Sequence, residues 1–325
     1  MTPVDVAVLD DYAGVALELA DWSRLKAQGR VDVFTDHLVD VDALTERLAP
    51  YGAVVLMRER TPFPAAVIER LDRLRLIVTT GRRNPVIDVG AAARRGIVVS
   101  HTEGISSSTV ELTWALILAH SRHLLGEVTA LRAGGWQSTV GRDLAGATLG
   151  VLGLGRIGGQ VARVGAAFGM DVLAWSRTLT PERAADAGAT SVSFEELLTG
   201  SDVVTIHLPL TPGTRHLLGA AALASMKPTA LLVNTSRGPI VDGVALRQAL
   251  TVGRPAGAAV DVFDAEPPVD DPLLGAAGLL ATPHLGYVTR NGLGVFYAGA
   301  VEDIEAFVAG TPIRVVEPPA AGASA

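Results

Sequence analysis

The stretch that most constrains this 325-residue chain is 148–159, which reads T-L-G-V-L-G-L-G-R-I-G-G. Gly153, Gly155 and Gly158 fall at G-x-G-x-x-G spacing, after a short β-rich run and before residues 160–168, which can be helical. The first glycine permits a tight turn, the second lets backbone approach a pyrophosphate, and the third lets the helix pack closely on its strand. Phosphates then meet free N–H groups and the positive end of the helix dipole. In a chain with 35 glycines the spacing alone also describes an ordinary strand–turn–helix corner. The flanking strand and helix favour dinucleotide binding over that plain corner.

The remaining chain repeats the same alternation. Residues 4–9, 31–34, 53–57, 76–79 and 97–100 read as strands, with helical segments at 17–28, 41–48 and 64–71. Strands alternating with helices of this length predict βαβ units and a parallel sheet. A helix over 106–124, with Ser108 or Thr109 as its N-cap, is apolar around most of its circumference. Such a helix is buried in a core or a subunit interface. Beyond the glycine motif, strands are expected at 172–175, 203–207, 231–234, 258–261 and 279–281, helices at 195–199, 221–226 and 244–252, and a final helix at 295–309.

Composition narrows the class. Hydrophobic residues make up 49% and charged residues 19%, so the bulk is globular. A single core rarely grows past about 250–300 residues, which makes two lobes the default. A formal charge of −7 argues against a nucleic-acid surface. The absence of cysteine removes disulfides, thiolate chemistry and cysteine metal sites together. The first ten residues lack a signal-peptide pattern, and the apolar run 114–119 is far short of a span of ~20 residues. The expectation is a soluble, cytoplasmic protein with no membrane partner, ending in a disordered tail at 318–325.

Ligands of open α/β sheets bind outside the carboxyl ends of the strands. Residues 234–238 (N-T-S-R-G), Asp261, 264–268 (D-A-E-P-P) and 282–284 (T-P-H) all follow strands there. Singly, each has a bland explanation: Arg237 as a surface ion-pair partner, Glu266 as a solvated loop carboxylate, His284 as a satisfied loop histidine. Together they suit hydride transfer between a nicotinamide and a 2-keto acid. The developing alkoxide needs a proton, and histidine titrates nearest neutrality. A neighbouring glutamate favours the imidazolium and orients it, and arginine's planar fork binds a carboxylate and polarises a carbonyl.

The chain resembles the D-isomer-specific 2-hydroxyacid dehydrogenase family over nearly all of residues 4–315. The most specific stretches are L-G-V-L-G-L-G-R-I-G-G (149–159), S-D-V-V-T-I-H-L-P-L-T-P-G-T-R (201–215), M-K-P-T-A-L-L-V-N-T-S-R-G-P-I-V-D (226–242), D-V-F-D-A-E-P-P (261–268) and T-P-H-L-G (282–286). The resemblance implies an α/β fold of two doubly wound parallel-sheet lobes with a cleft between them. One is a flavodoxin-like substrate lobe (1–102 with 288–317), the other a Rossmann cofactor lobe (103–287). It implies Arg237, Glu266 and His284 as the catalytic set. The cofactor set is Gly153, Gly155, Arg156, Ile157, Gly158, Ser176, Arg177, His207 and Thr235, with Asp261 on the nicotinamide carboxamide. The substrate set is Arg58, Arg60, Thr80, Gly81, Arg237 and Tyr287, backbone N–H groups of 80–82 holding the carboxylate. No metal is implied. The helix after Ser106 resembles the family's dimerisation element, which implies a homodimer.

Three departures from the family pattern matter. An NAD-preferring fold places Asp or Glu about 20 residues past the glycine turn, where it binds the ribose 2′-OH and repels a 2′-phosphate. Here Ser176-Arg177 stands there; serine carries no repelling charge and arginine can pair with phosphate. The expected cofactor is therefore NADP(H), with NAD(H) as the alternative and Arg177 then a plain surface cation. The carboxylate loop reads Gly81-Arg82-Arg83-Asn84 where relatives often carry a small residue and an aspartate. Tyr287 stands where a small residue is common, and either reshapes the substrate pocket or packs at the hinge. Two other functions fit the same resemblance. A cofactor-sensing corepressor keeps the fold and the Arg, Glu and His, whereas formate dehydrogenases replace the Glu with Gln, against which Glu266 speaks.

Overall fold

Unalternating apolar runs such as A-V-V-L and L-I-V-T suit strands covered on both faces, as parallel strands with helical crossovers are. In the structure, a computed structural model that describes residues 4–318, both runs are fully buried strands. The chain divides into two units, one comprising the described residues up to Ile105 and from Thr289 onward, the other Ser106–Val288.

In the first unit β1 (Val6–Val8), β2 (Val31–Val33), β3 (Ala53–Leu56), β4 (Leu76–Thr79) and β5 (Val98–His101) form a parallel sheet in the order β2-β1-β3-β4-β5. This is the flavodoxin-like order, with its switch point between β1 and β3. Leu56, Phe63, Ile68, Leu71 and Ile77 pack its core. In the second unit β6 (Thr148–Leu152), β7 (Asp171–Trp175), β8 (Thr190–Ser191), β9 (Val203–Ile206), β10 (Leu231–Asn234), β11 (Gly257–Val260) and β12 (Leu279–Ala281) run in the order β12-β11-β10-β9-β6-β7-β8, all parallel. This is the Rossmann order with one strand added. Its switch point lies between β6 and β9, because the chain leaves β6 for β7 and β8 on one side and returns to β9 on the other.

Several elements differ from the sequence expectation for local reasons. The helix expected over 17–28 is two short ones, Ala16–Leu19 and Ser23–Lys26. Ala20 is extended, Asp21 Oδ1 accepts from Ser23 N at 3.0 Å, and Trp22 is buried with its indole N–H donating to Ala16 O at 2.8 Å. The segment 64–71 is helical only over Ala65–Ile68. The helix expected over 106–124 ends at Ser121; left-handed His123 (φ 50°) starts a second helix, Leu124–Arg132, in which no residue is buried. Helix Val89–Arg94 was unexpected, and is capped by Asp88 Oδ1 accepting from Ala91 N at 2.7 Å. The last helix begins at Arg290 instead of 295, because Thr289 Oγ1 caps it at Gly292 N, 2.9 Å. Gly292 and Gly294 hide that start, since glycine is a poor helix former in isolation. Apart from Pro318, the tail expected at 318–325 lies outside the described residues. Among the described residues no helix is long and apolar enough to cross a membrane.

Candidate active site

The glycine turn sits at the switch point of the seven-stranded sheet. Gly153, with φ +97°, turns the chain out of β6, and its N–H donates to Trp175 O at 2.8 Å. A Cβ at Gly153 would come within 2.6 Å of His207 O, and one at Gly158 would overlap the Gly153 carbonyl oxygen. Glycine at 158 therefore seats helix Arg156–Ala167 hard against β6. Gly155 differs, because a Cβ there meets nothing within 4 Å. It is the N-cap of that helix, with no side-chain capping bond. An uncapped helix N-terminus facing open space fits a dinucleotide's pyrophosphate. Arg156 and Ile157 form the helix's first turn.

Beside the turn lies a cleft of about 270 Å³ lined by Gly153 to Gly155, Trp175 to Thr178, Arg183, His207 to Pro209, Thr211, Gly213 and Thr214. No acidic side chain is among its lining residues. Arg177 lies along the Gly213 backbone, its Nη1 3.2 Å from where a Cβ would stand. Arg183 Nη1 donates to Thr178 O at 3.3 Å. Sequence reading missed Arg183, because the short helix Pro181–Ala185 that carries it was not expected. His207 is bonded to Thr205 Oγ1 through Nε2 at 3.0 Å, and burial pushes its pKa down to about 3. It is therefore neutral near pH 7, and positive charge in this cleft comes from the two arginines.

At the C-terminal ends of β10, β11 and β12 the expected polar residues converge. Glu266 Oε1 accepts from Phe263 N at 3.0 Å, and its Oε2 lies 2.5 Å from His284 Nδ1. The two side chains are 24% and 17% exposed, open enough for a ligand to reach and shielded enough for the pair to matter. His284 is left-handed (φ 52°), its N–H donating to the carbonyls of Asp261 and Thr282 at 2.9 and 3.0 Å. The Tyr287 ring stands edge-on to it, with centroids 5.1 Å apart at 70°. Arg237 follows β10, its backbone carbonyl accepting from Asn234 Nδ2 at 2.9 Å. A Cβ at Gly238 would overlap the Phe263 carbonyl, so the arginine loop lies directly on the glutamate loop.

Asp261 is fully buried, and its carboxylate already accepts three bonds: from Thr282 Oγ1 at 2.6 Å, Leu285 N at 2.7 Å and Gly286 N at 2.8 Å. Burial raises its pKa while those donors oppose the rise. Thr109 Oγ1 donates to Gly286 O at 2.9 Å, so the peptides after His284 are held from both sides. Thr235 is also internal, its hydroxyl 2.9 Å from that of Thr113.

The first unit carries Arg58, Arg60, Thr80 and Gly81 at the ends of β3 and β4. Thr80 N donates to Leu56 O at 3.0 Å and Gly81 N to Thr102 Oγ1 at 2.9 Å. Arg60 turns back, donating to Asp10 O at 2.7 Å and lying 4.5 Å over the Tyr12 ring. Arg58 instead lies against Gly81. Among the described residues no group of three or more His, Cys, Asp or Glu side chains is placed to hold a metal ion.

A dehydrogenase-type nucleotide fold with a histidine–glutamate pair at its strand ends is thus the class the geometry defines. The sequence profile described as D-isomer specific 2-hydroxyacid dehydrogenase, NAD binding domain, matches residues 114–286. The chain is 42% identical over 256 residues to a glyoxylate reductase of Aeropyrum pernix, covering 75% of this chain and 76% of that one. It is 37% identical over 262 residues to a D-3-phosphoglycerate dehydrogenase of Bacillus subtilis, covering 80% of this chain and 50% of that one. The chain spans about half the length of the phosphoglycerate dehydrogenases it matches. A solved phosphoglycerate oxidoreductase from Vibrio cholerae superposes with a TM-score of 0.90 at 37% identity, covering 94% of this chain and 99% of that one. The chain belongs to the D-isomer-specific 2-hydroxyacid dehydrogenase family.

The glycine geometry separates stability from binding. Gly158→Ala is expected to destabilise the protein by about 1–3 kcal/mol, because the new methyl meets rigid backbone. Gly155→Ala should leave the melting temperature of the dinucleotide-free protein near wild type while weakening dinucleotide binding. Thermal melts paired with fluorescence titration of NADPH check both, and an unchanged Kd in Gly155→Ala would count against phosphates at this helix end.

Proposed function

We propose that this protein is a nicotinamide-dependent dehydrogenase that reduces a 2-keto acid or oxidises the corresponding D-2-hydroxy acid. The observation that carries this reading is the 2.5 Å contact between His284 Nδ1 and Glu266 Oε2, set in a unit with a dinucleotide grip. When bound, the nicotinamide supplies or accepts the hydride. Glu266 fixes the tautomer of His284, so Nε2 carries the proton that moves. In reduction, His284 Nε2–H protonates the oxygen as it gains negative charge; in oxidation the same nitrogen takes the hydroxyl proton. Arg237 supplies a permanent positive charge to the carboxylate and the developing alkoxide.

NADP(H) is the preferred cofactor in this reading. Ser176, Arg177, Thr178 and Arg183 are among the residues lining the cleft, which offers a ribose 2′-phosphate two guanidinium partners and no repelling carboxylate. The active form is a homodimer. Helix Leu124–Arg132 and the segment after it expose Leu124, Leu125, Leu131, Trp136 and Val140 by 52, 57, 58, 76 and 91%, an apolar density that suits a partner surface.

Three outcomes are expected. With NADPH or NADH and a panel of glyoxylate, hydroxypyruvate, pyruvate and phenylpyruvate, the wild type turns over at least one acid, and His284→Ala lowers kcat roughly 10²- to 10⁴-fold. Turnover that survives His284→Ala would remove the proposed proton donor. Arg177→Ala lowers kcat/KM for NADPH roughly ten- to hundredfold, the scale of a lost charged hydrogen bond, and barely changes that for NADH; a wild-type preference for NADH would reverse the cofactor assignment. Sedimentation velocity finds a dimer for wild type and a monomer for Leu125→Asp combined with Leu131→Asp, whereas a wild-type monomer would rule the dimer out.

A further inference from the structure

Arg177 stands in the loop after β7, and its guanidinium lies on the backbone of Gly213, in the loop after β9. β7 and β9 flank β6 on either side, each one strand spacing of about 4.8 Å away from it, so the side chain connects loops on opposite sides of the β6 end. Both residues line the cleft beside the glycine turn, and no carboxylate does. Arg47, Arg82, Arg95 and Arg314 each meet a carboxylate at 3.0 Å or less. Arg177, by contrast, makes no ion pair or hydrogen bond among the described residues. Gly213 is not required there by its backbone, because its φ lies outside the left-handed region. Nor would a side chain collide with the fold. The nearest atoms to a Cβ at 213 are Arg177 Nη1 at 3.2 Å and Cζ at 3.8 Å, then Thr211 Oγ1 at 4.0 Å. The missing side chain therefore has one structural consequence, which is room for the Arg177 guanidinium.

The seat itself is fixed. Buried Thr214 ties the loop: its Oγ1 accepts from Thr211 N at 2.8 Å and donates to Pro209 O at 2.7 Å, and its N–H donates to Thr211 O at 3.0 Å. A side chain at 213 would therefore lift the guanidinium and leave the loop in place. An acidic one would do more, by giving Arg177 a carboxylate within the protein. Resting on a fixed surface also costs a long side chain part of its rotamer freedom before any ligand arrives, which favours the binding that follows. We infer that Gly213 is a specificity-determining residue for the cofactor: it seats the Arg177 guanidinium unpaired on the loop after β9, so that a ribose 2′-phosphate becomes its first anionic partner. The inference rests on the NADP(H) reading above. Gly213 acts through Arg177, and a dinucleotide that lacks the 2′-phosphate gains nothing from it.

Binding, read without turnover, tests this. Fluorescence titration gives Kd for NADPH and NADH, and calorimetry gives Kd for adenosine 2′,5′-bisphosphate and 5′-AMP. Gly213→Val should weaken NADPH and the bisphosphate roughly five- to twentyfold, part of the effect of losing a charged hydrogen bond, and Gly213→Glu roughly ten- to hundredfold, the whole of it. Gly213→Gln, as long as Glu but uncharged, should behave like Gly213→Val. Kd for NADH and 5′-AMP should stay within about twofold throughout, and in an Arg177→Ala background Gly213→Val should add no more than about twofold. Residue 213 is exposed, so melting temperatures should stay near wild type and a lost affinity reports on the site. Unchanged NADPH affinity in Gly213→Val, equal losses for NADPH and NADH, or an undiminished Gly213→Val effect in the Arg177→Ala background overturns the inference while leaving the Arg177→Ala result standing. A wild type that binds NADPH no tighter than NADH, and the bisphosphate no tighter than 5′-AMP, overturns the inference and the cofactor reading together.

Discussion

The approach of Gly158 to the Gly153 carbonyl is the contact on which the second unit depends. Any side chain at 158 would overlap that oxygen, so the helix Arg156–Ala167 can sit on β6 only because the side chain is missing. With the helix seated, its N-terminal N–H groups face the switch point, and Gly155 opens toward free space. Helix dipole, unbonded amides and vacant volume then coincide at one spot, which is what an anion needs. Leu149, Val151 and Val161 fill the same interface, so binding site and hydrophobic core are two sides of one packed layer.

Charge is distributed with similar economy. His207 stands in the cleft wall, yet burial keeps it neutral; a cationic imidazole there would face the desolvation that already depresses its pKa. Arginines escape this constraint, because guanidinium stays protonated and is weakly hydrated. The cleft uses Arg177 and Arg183 on its rim for positive charge and His207 for a neutral polar wall. At the other strand ends Asp261 takes a structural part. Its buried carboxylate ties Thr282, Leu285 and Gly286, which fixes the loop on which His284 stands. With two oxygens carrying about four lone-pair sites, its three donors satisfy most of the carboxylate's capacity, as a fully buried charge requires.

The sheets were legible in the sequence because buried parallel strands are continuous apolar runs, and Ala53–Leu56, Leu76–Thr79 and Leu231–Asn234 are too short for a buried helix and alternate with helical segments. Gly153, Gly155 and Gly158 were legible because their spacing encodes a turn and a close approach. Short elements were less so. Val89–Arg94 depends on the Asp88 cap, and the break at His123 depends on one left-handed residue, features that hydropathy does not record. Arg183 escaped because its helix is only five residues long. The commitment of the Thr80 and Gly81 amides could not be read at all, since Thr102, which takes the Gly81 N–H, lies 21 residues away in sequence.

The same device recurs at three places that matter for chemistry. Gly158 admits a carbonyl so that a helix end can face phosphate; Gly238 admits the Phe263 carbonyl so that the Arg237 loop lies on the Glu266 loop; Gly81 admits the Arg58 guanidinium. In each case an omitted Cβ lets a charged or dipolar group lie directly against rigid backbone, which narrows the positions that group can take. That matters because long side chains lose roughly 1.5–2 kcal/mol of rotamer entropy when fixed. A group held by backbone contact has much of this ordering done before a ligand arrives, and pre-ordering is what raises binding and rate together. The strained conformations of Arg58 and His284 fit the same logic. Each is held by hydrogen bonds to neighbouring segments, so the folded scaffold carries the strain.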